Sequence, residues 1–235
     1  MPIGAIVVSL AVTCGGLIGS VLGNRLPEIM KSQMNNIFGL CSICMGVSAV
    51  MLMQNMPAVV FSIIIGTLLG FLVKLGTGIQ KGCTAVLNRV MKGSSQESND
   101  LMITAVVLFC ASGTGIYGAL DSGMTGNHSI LLAKAILDFF ASMIFACKLG
   151  KATSFIAIPQ FAVLLSLFLL AKVIVPMTTD FMVADFKACG GFILVATGLR
   201  MLQLKAFPVA DMLPAMVLVM PISYAWVTWI LPLIG

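Results

Sequence analysis

From Ile3 onward the chain is a succession of apolar runs, each close to the ~20 residues that a helix needs to cross a bilayer. In hydrocarbon every backbone N–H and C=O must find its partner within the protein, so continuous runs of this kind fold as helices. Only 9% of the 235 residues are charged, against about 25% in a soluble domain. Seven or eight such helices nearly exhaust the length and leave no room for a separate soluble domain. The expected fold is all-α: a polytopic membrane protein in one transmembrane domain over residues 1–235, with the lipid bilayer as its first partner. The net charge of +5 reflects lysine and arginine in short loops rather than a nucleic-acid surface.

In chain order, spans are predicted over 3–22, 36–53, from Pro57 to 75, and over 101–120, 130–147, 153–175, 188–202 and from 207 onward. Gly15 with Gly19, and Gly66 with Gly70, form G-x-x-x-G pairs that allow close helix approach and permit a homodimer. Residues 79–92 place Ile79, Cys83, Val86 and Val90 on one face and lysines away from it, which predicts an amphipathic helix on the membrane surface. A polar linker follows to Asp100. Residues 176–187 read as a second interfacial segment, and Pro214 and Pro221 as interruptions of the last span. Asp211 is expected to cap a helix or face solvent near the cytoplasmic end of that span. Cys41 and Cys44 form a C-x-x-C inside a span with no neighbouring histidine, and read as packing residues. The N-terminus lacks the basic region of a signal peptide, so the first helix is expected to be retained.

With eight spans, the loops after the odd-numbered helices hold ten lysines and arginines and the opposite side holds Lys172 and Lys187. By the positive-inside rule both termini lie outside the cytoplasm. A shift of 152 residues aligns Glu28 with Asp180, Gly39 with Gly191, and Gly46 with Gly198. This suggests a 3+2+3 arrangement, with repeats over 1–77 and 152–235 in inverted topology around a central helix pair at 101–149, as in many transporters.

The central pair carries the chemistry. Lys134 and Asp138 are four apart on one helical face, within an apolar run. An intramembrane charge costs about 2.5–3.5 kcal/mol on insertion scales and is a functional-site candidate by default. The two either neutralise each other structurally, or Lys134 attracts an anionic group with Asp138 as counter-ion or proton acceptor. Ser112, Gly113, Thr114 and Gly115 fall in mid-span, where glycine frees backbone groups that protein or cavity water must satisfy. Asp121 and His128 flank the turn 122–127, in which Asn127 can cap the next helix. The candidate solute-binding set is therefore Lys134, Asp138, Ser112, Gly113, Thr114, Gly115, Asp121, Asn127 and His128. One histidine with scattered carboxylates makes no metal site, and no cofactor motif or paired nucleophile and base stands out. The chain reads as no enzyme and as holding no metal or cofactor.

The start at 2–6, the Gly-Gly-Leu-Ile-Gly at 15–19, and above all Gly118, Gly123, Thr125-Gly126-Asn127-His128-Ser129, Lys134 and Asp138 resemble the YqgA/YdfK-like bacterial membrane family, a domain of unknown function (554). Gly190 to Leu194 and Leu213-Pro214-Ala215 fit it too. The resemblance covers nearly the whole chain and implies a multi-pass protein of the bacterial inner membrane. It implies no substrate. The functional expectation is a small transporter or channel-like protein for a small polar or anionic solute, with its site between the fourth and fifth spans. The alternative is a non-transporting assembly or sensor module in which Lys134 and Asp138 are structural.

Overall fold

The first apolar run forms α1 (Ile3–Leu22) in the computed structural model, which describes residues 1–22, 27–79, 81–82, 102, 105–106, 108–110 and 112–234. It is followed by α2 (Glu28–Val50), α3 (Met56–Val73), α4 (Gly113–Thr125), α5 (Ser129–Leu149), α6 (Ala157–Ile174), α7 (Asp180–Met201) and α8 (Pro214–Ala225). Among the described residues there is no strand. The protein is all-α and polytopic. Six described helices are long and apolar enough to cross a membrane; α2 is apolar over the shorter stretch Asn36–Val50, and α4 has 13 residues. Apart from 79 and 81–82, the predicted surface helix at 79–92 and the linker after it lie outside the described residues.

The chain divides into two compact units, residues 1–38 with 77–172 and residues 39–76 with 173–235. In the first, α1 runs along α5. A Cβ on Gly4 would meet Leu131, one on Gly15 the Phe139 carbonyl and Ser142, and one on Gly19 the backbone of Met143. Only glycine lets the two backbones come this close. Gly16 meets Ser154, which lies in a 3-10 turn over Gly150–Ile156 and donates from Oγ to the Thr13 carbonyl at 3.2 Å. Two apolar clusters fill this unit. Val8, Ala119, Leu131, Ala135 and Leu164 build one, and Val12, Val106, Phe109, Ile156 and Ala157 the other.

In the second unit α2 and α7 cross through paired glycines. A Cβ on Gly39 would meet the Gly198 carbonyl and one on Gly198 the Gly39 carbonyl; Gly46 and Gly191 face each other in the same way. Between these two contacts Ser42 Oγ donates to the Leu194 carbonyl at 2.9 Å. Gly66 and Gly70 of α3 are pressed against the backbones of Ala215 and Asp211. Gly15 and Gly19, and Gly66 and Gly70, thus each pack against another part of the same chain.

Several boundaries differ from the sequence reading. The second span begins earlier, because Glu28 to Val50 is one helix. Residues 176–187 do not form a segment separate from the next span: a short 3-10 turn at Val175–Met177 leads into α7, which runs unbroken from Asp180 through Lys187. Its Asp185 is fully buried. Asp185 Oδ1 accepts from the backbone amides of Gln54 and Asn55, each at 2.9 Å, and Oδ2 from Asn55 Nδ2 at 2.8 Å and Ser223 Oγ at 2.6 Å. The carboxylate ties the entry to α3 to α7 and α8. Pro214 does not interrupt the last span but starts it, at the first-turn position where a missing N–H matters least. Pro221 lies inside α8, which continues through a π-helical turn at Trp226–Ile230. Asp211 accepts from the Gly76 amide at 2.8 Å, at the start of a helical turn over 75–79, so it caps that turn rather than α8.

Candidate functional site

The fourth span is broken. Residues 108–110 are helical, Ser112 is extended (φ −72°, ψ 137°), and α4 restarts at Gly113. Ser112 Oγ accepts from the Gly115 amide at 3.1 Å, the N-cap bond that lets a helix begin inside an apolar run. The Phe109 carbonyl accepts from Gln160 Nε2 of α6 at 3.3 Å, so a side chain serves a carbonyl beside the break.

Lys134 and Asp138 point into this region from α5, at 3% and 7% exposure. Lys134 Nζ lies 3.0 Å from Asp138 Oδ1 and 2.8 Å from Oδ2. Gln160, fully buried, donates from Nε2 to Asp138 Oδ2 at 2.7 Å. A Cβ added to Gly115 would be 3.0 Å from Lys134 Cε and 3.0 Å from Ser112 Oγ, so the lysine stem lies on the first turn of α4. Leu131 and Ala135 of α5 belong to one apolar cluster, and Ala141 and Phe145, after Asp138 in sequence, pack against the other. Removing two charges from water is repaid only when hydrogen bonds satisfy what remains. Here one atom is not satisfied: Gln160 Oε1 is buried without a partner. Thr153 Oγ1, in the turn before α6, is buried and unpartnered too.

The nine sequence candidates do not form one site. Ser112, Gly115, Lys134 and Asp138 come together, with Gly113 and Thr114 buried in the same first turn of α4. Asp121 lies about 12 Å along α4 from Gly113 at 1.5 Å per residue, and Asn127 and His128 lie beyond the far end of that helix, about 20 Å from its start. The turn expected over 122–127, flanked by Asp121 and His128, is shorter than that, and Asp121 lies inside the helix. α4 extends through Thr125, and Gly126 (φ 74°) ends it with its amide on the Ser122 carbonyl. Thr125 Oγ1 donates to the Asp121 carbonyl at 2.9 Å, and Asn127 Oδ1 accepts from the Ser129 amide at 2.9 Å. His128 Nδ1 is hydrogen-bonded to the buried Ser122 Oγ at 2.6 Å, a hydroxyl–imidazole pair that the sequence reading did not see. With Gly126, it closes the tight α4–α5 turn. Among the described residues no three of His, Cys, Asp and Glu converge as metal ligands would.

Sequence reasoning missed Gln160 and Asp185. Gln160 had a signal, an amide inside the apolar run of α6, of the same kind that marked Lys134. Asp185 was hidden by its place near the end of an apparently interfacial stretch over 176–187.

Helices of crossing length and a buried, charge-paired polar cluster at a helix break define a multi-pass membrane protein. The chain belongs to the DUF554 family, described as proteins of unknown function, whose match runs over residues 3–224. It is 45% identical over 233 residues to a protein of Escherichia coli (strain K12) described as uncharacterized protein YqgA, covering 97% of this chain and 99% of that one. It is 24% identical over 221 residues to an uncharacterized membrane protein of Bacillus subtilis (strain 168), YdfK, covering 92% and 93%. No solved structure matches the chain.

Proposed function

We propose that this membrane protein moves a small polar or anionic solute across the bacterial inner membrane, through a site made by the break before α4, Lys134 and Asp138 of α5, and Gln160 of α6. The observation that carries the reading is the position of a buried ion pair beside interrupted helix backbone. Transporters commonly build substrate sites from broken helices in this way, and a cluster with only a packing role could be apolar at lower cost. The cluster is enclosed, so binding and release need an opening motion of the helices around it.

The proposal includes an inverted repeat, which the spacing of the helices supports. α1 and α6 end 152 residues apart, at Leu22 and Ile174, and α2 and α7 begin 152 apart, at Glu28 and Asp180. That shift turns the contact of Gly39 with Gly198 into the contact of Gly191 with Gly46, as a two-fold relation between α2 and α7 requires. The proposal includes the orientation from loop charge, with both termini outside the cytoplasm.

A second reading has its own observation. Lys134 and Asp138 already satisfy each other's charge, as a purely structural pair in an assembly or sensor module would. A thermal-shift screen of purified wild type and Lys134→Met separates the two. On the transport reading a polar or anionic compound raises the wild-type melting temperature and leaves the variant unmoved. If no compound stabilises the wild type and Lys134→Met merely melts earlier, the structural reading replaces it.

A further inference from the structure

We propose that the site takes a small uncharged solute offering one hydrogen-bond donor and one acceptor, for which glycerol and urea are simple probes; this rests on the transport reading and narrows it. Charge is the first argument. Lys134 reaches both oxygens of Asp138, at 3.0 and 2.8 Å, so the pair is neutral before anything binds. An anion would have to displace Asp138 to gain from the ammonium, leaving a buried carboxylate with only Gln160 to serve it. A cation would meet Lys134.

Hydrogen bonding is the second argument. Gln160 has two N–H donors and one carbonyl. The donors face Asp138 Oδ2 and the Phe109 carbonyl, at 2.7 and 3.3 Å. Turning the amide over would set its oxygen against those two acceptors, so the orientation follows from the neighbours. Oε1 is therefore an acceptor without a donor, on a fully buried side chain. A buried polar group in that state is one that ligand or water completes. A simple anion has no proton to give it. Lys134 has three N–H groups, and one carboxylate takes at most two in this geometry, which leaves a donor for the solute. Lys134 Nζ and Gln160 Nε2 share Asp138 Oδ2, so the open donor and the open acceptor belong to one cluster. A hydroxyl or amide group presents both partners at once.

The test is solute entry into vesicles carrying the purified full chain, read by light scattering after an osmotic step of glycerol or urea. Chloride entry is followed in parallel with an enclosed chloride-sensitive dye. The expected result is glycerol or urea permeability well above that of protein-free vesicles, with chloride at the protein-free level. Gln160→Met keeps the bulk but removes the acceptor together with the donors to Asp138 and the Phe109 carbonyl, and is expected to lower the permeability at least about tenfold, the factor for the solute's one hydrogen bond. Chloride entry without glycerol or urea entry would overturn the solute class and leave the transport reading standing. Entry of none of the probes, with no compound stabilising the protein, would overturn both. Should Gln160→Met fail to insert, the wild-type comparison of glycerol and urea with chloride decides alone.

Discussion

Asp138 and Asp185 are both aspartates buried in apolar helices, and their partners separate them. Asp185 accepts four hydrogen bonds, two on each oxygen, three of them from the segment that enters α3. Asparagine there would turn an NH2 group toward two donors and lose at least two charge-assisted bonds, each worth about 1.5–3 kcal/mol. We expect Asp185→Asn to be strongly destabilised, by about 3 kcal/mol or more, in thermal unfolding of detergent-purified protein; an unchanged melting temperature would refute the structural role. Asp138 instead shares its cluster with an unpartnered amide oxygen. Lys134 and Asp138 were legible in the sequence because charges in an apolar run stand out at any helical register. Gln160 is neutral, and its importance comes from α6 bringing it to the break, which spacing along one helix cannot show. Asp185 was illegible because charge near the end of an apolar run looks interfacial until the neighbours that bury it are known.

At the scale of elements, apolar runs made the helices legible and their ends much less so. Hydropathy does not distinguish Pro214 as a first-turn residue from Pro214 as a breaker, and the upstream part of α7 is tied into its unit because Asp185 is buried there with four hydrogen-bond donors. The two glycines flanking Thr114 marked the region of the break, but the sequence left open whether the helix breaks there; the N-cap at Ser112 that makes the break depends on the conformation of the backbone. The α2–α7 crossing depends on glycine at four positions where each backbone meets the other. A side chain at Gly191 would press on the Gly46 carbonyl and on Val50. Overpacking of this kind costs about 1–3 kcal/mol, so Gly191→Val is expected to lower the melting temperature, and Gly191→Ala to lower it less. Equal stability of Gly191→Val and wild type would show that the helices are not held at this distance.

For the whole molecule, the central claim is that the cluster at the break opens to water rather than serving as a permanently dry brace. Class and multi-pass character followed from composition, but an opening motion belongs to neither composition nor spacing. Accessibility of Thr114, buried in the first turn of α4 beside the break, tests it directly. In a chain whose native cysteines are replaced, Thr114→Cys is exposed to a charged, membrane-impermeant thiol reagent in vesicles open on both faces. Asn127→Cys, in the exposed α4–α5 turn, is the control. The account predicts that Thr114→Cys reacts completely but more slowly than Asn127→Cys, because the site must open first. Full reaction of Asn127→Cys with Thr114→Cys left unmodified would contradict it, and would make Lys134, Asp138 and Gln160 a structural brace.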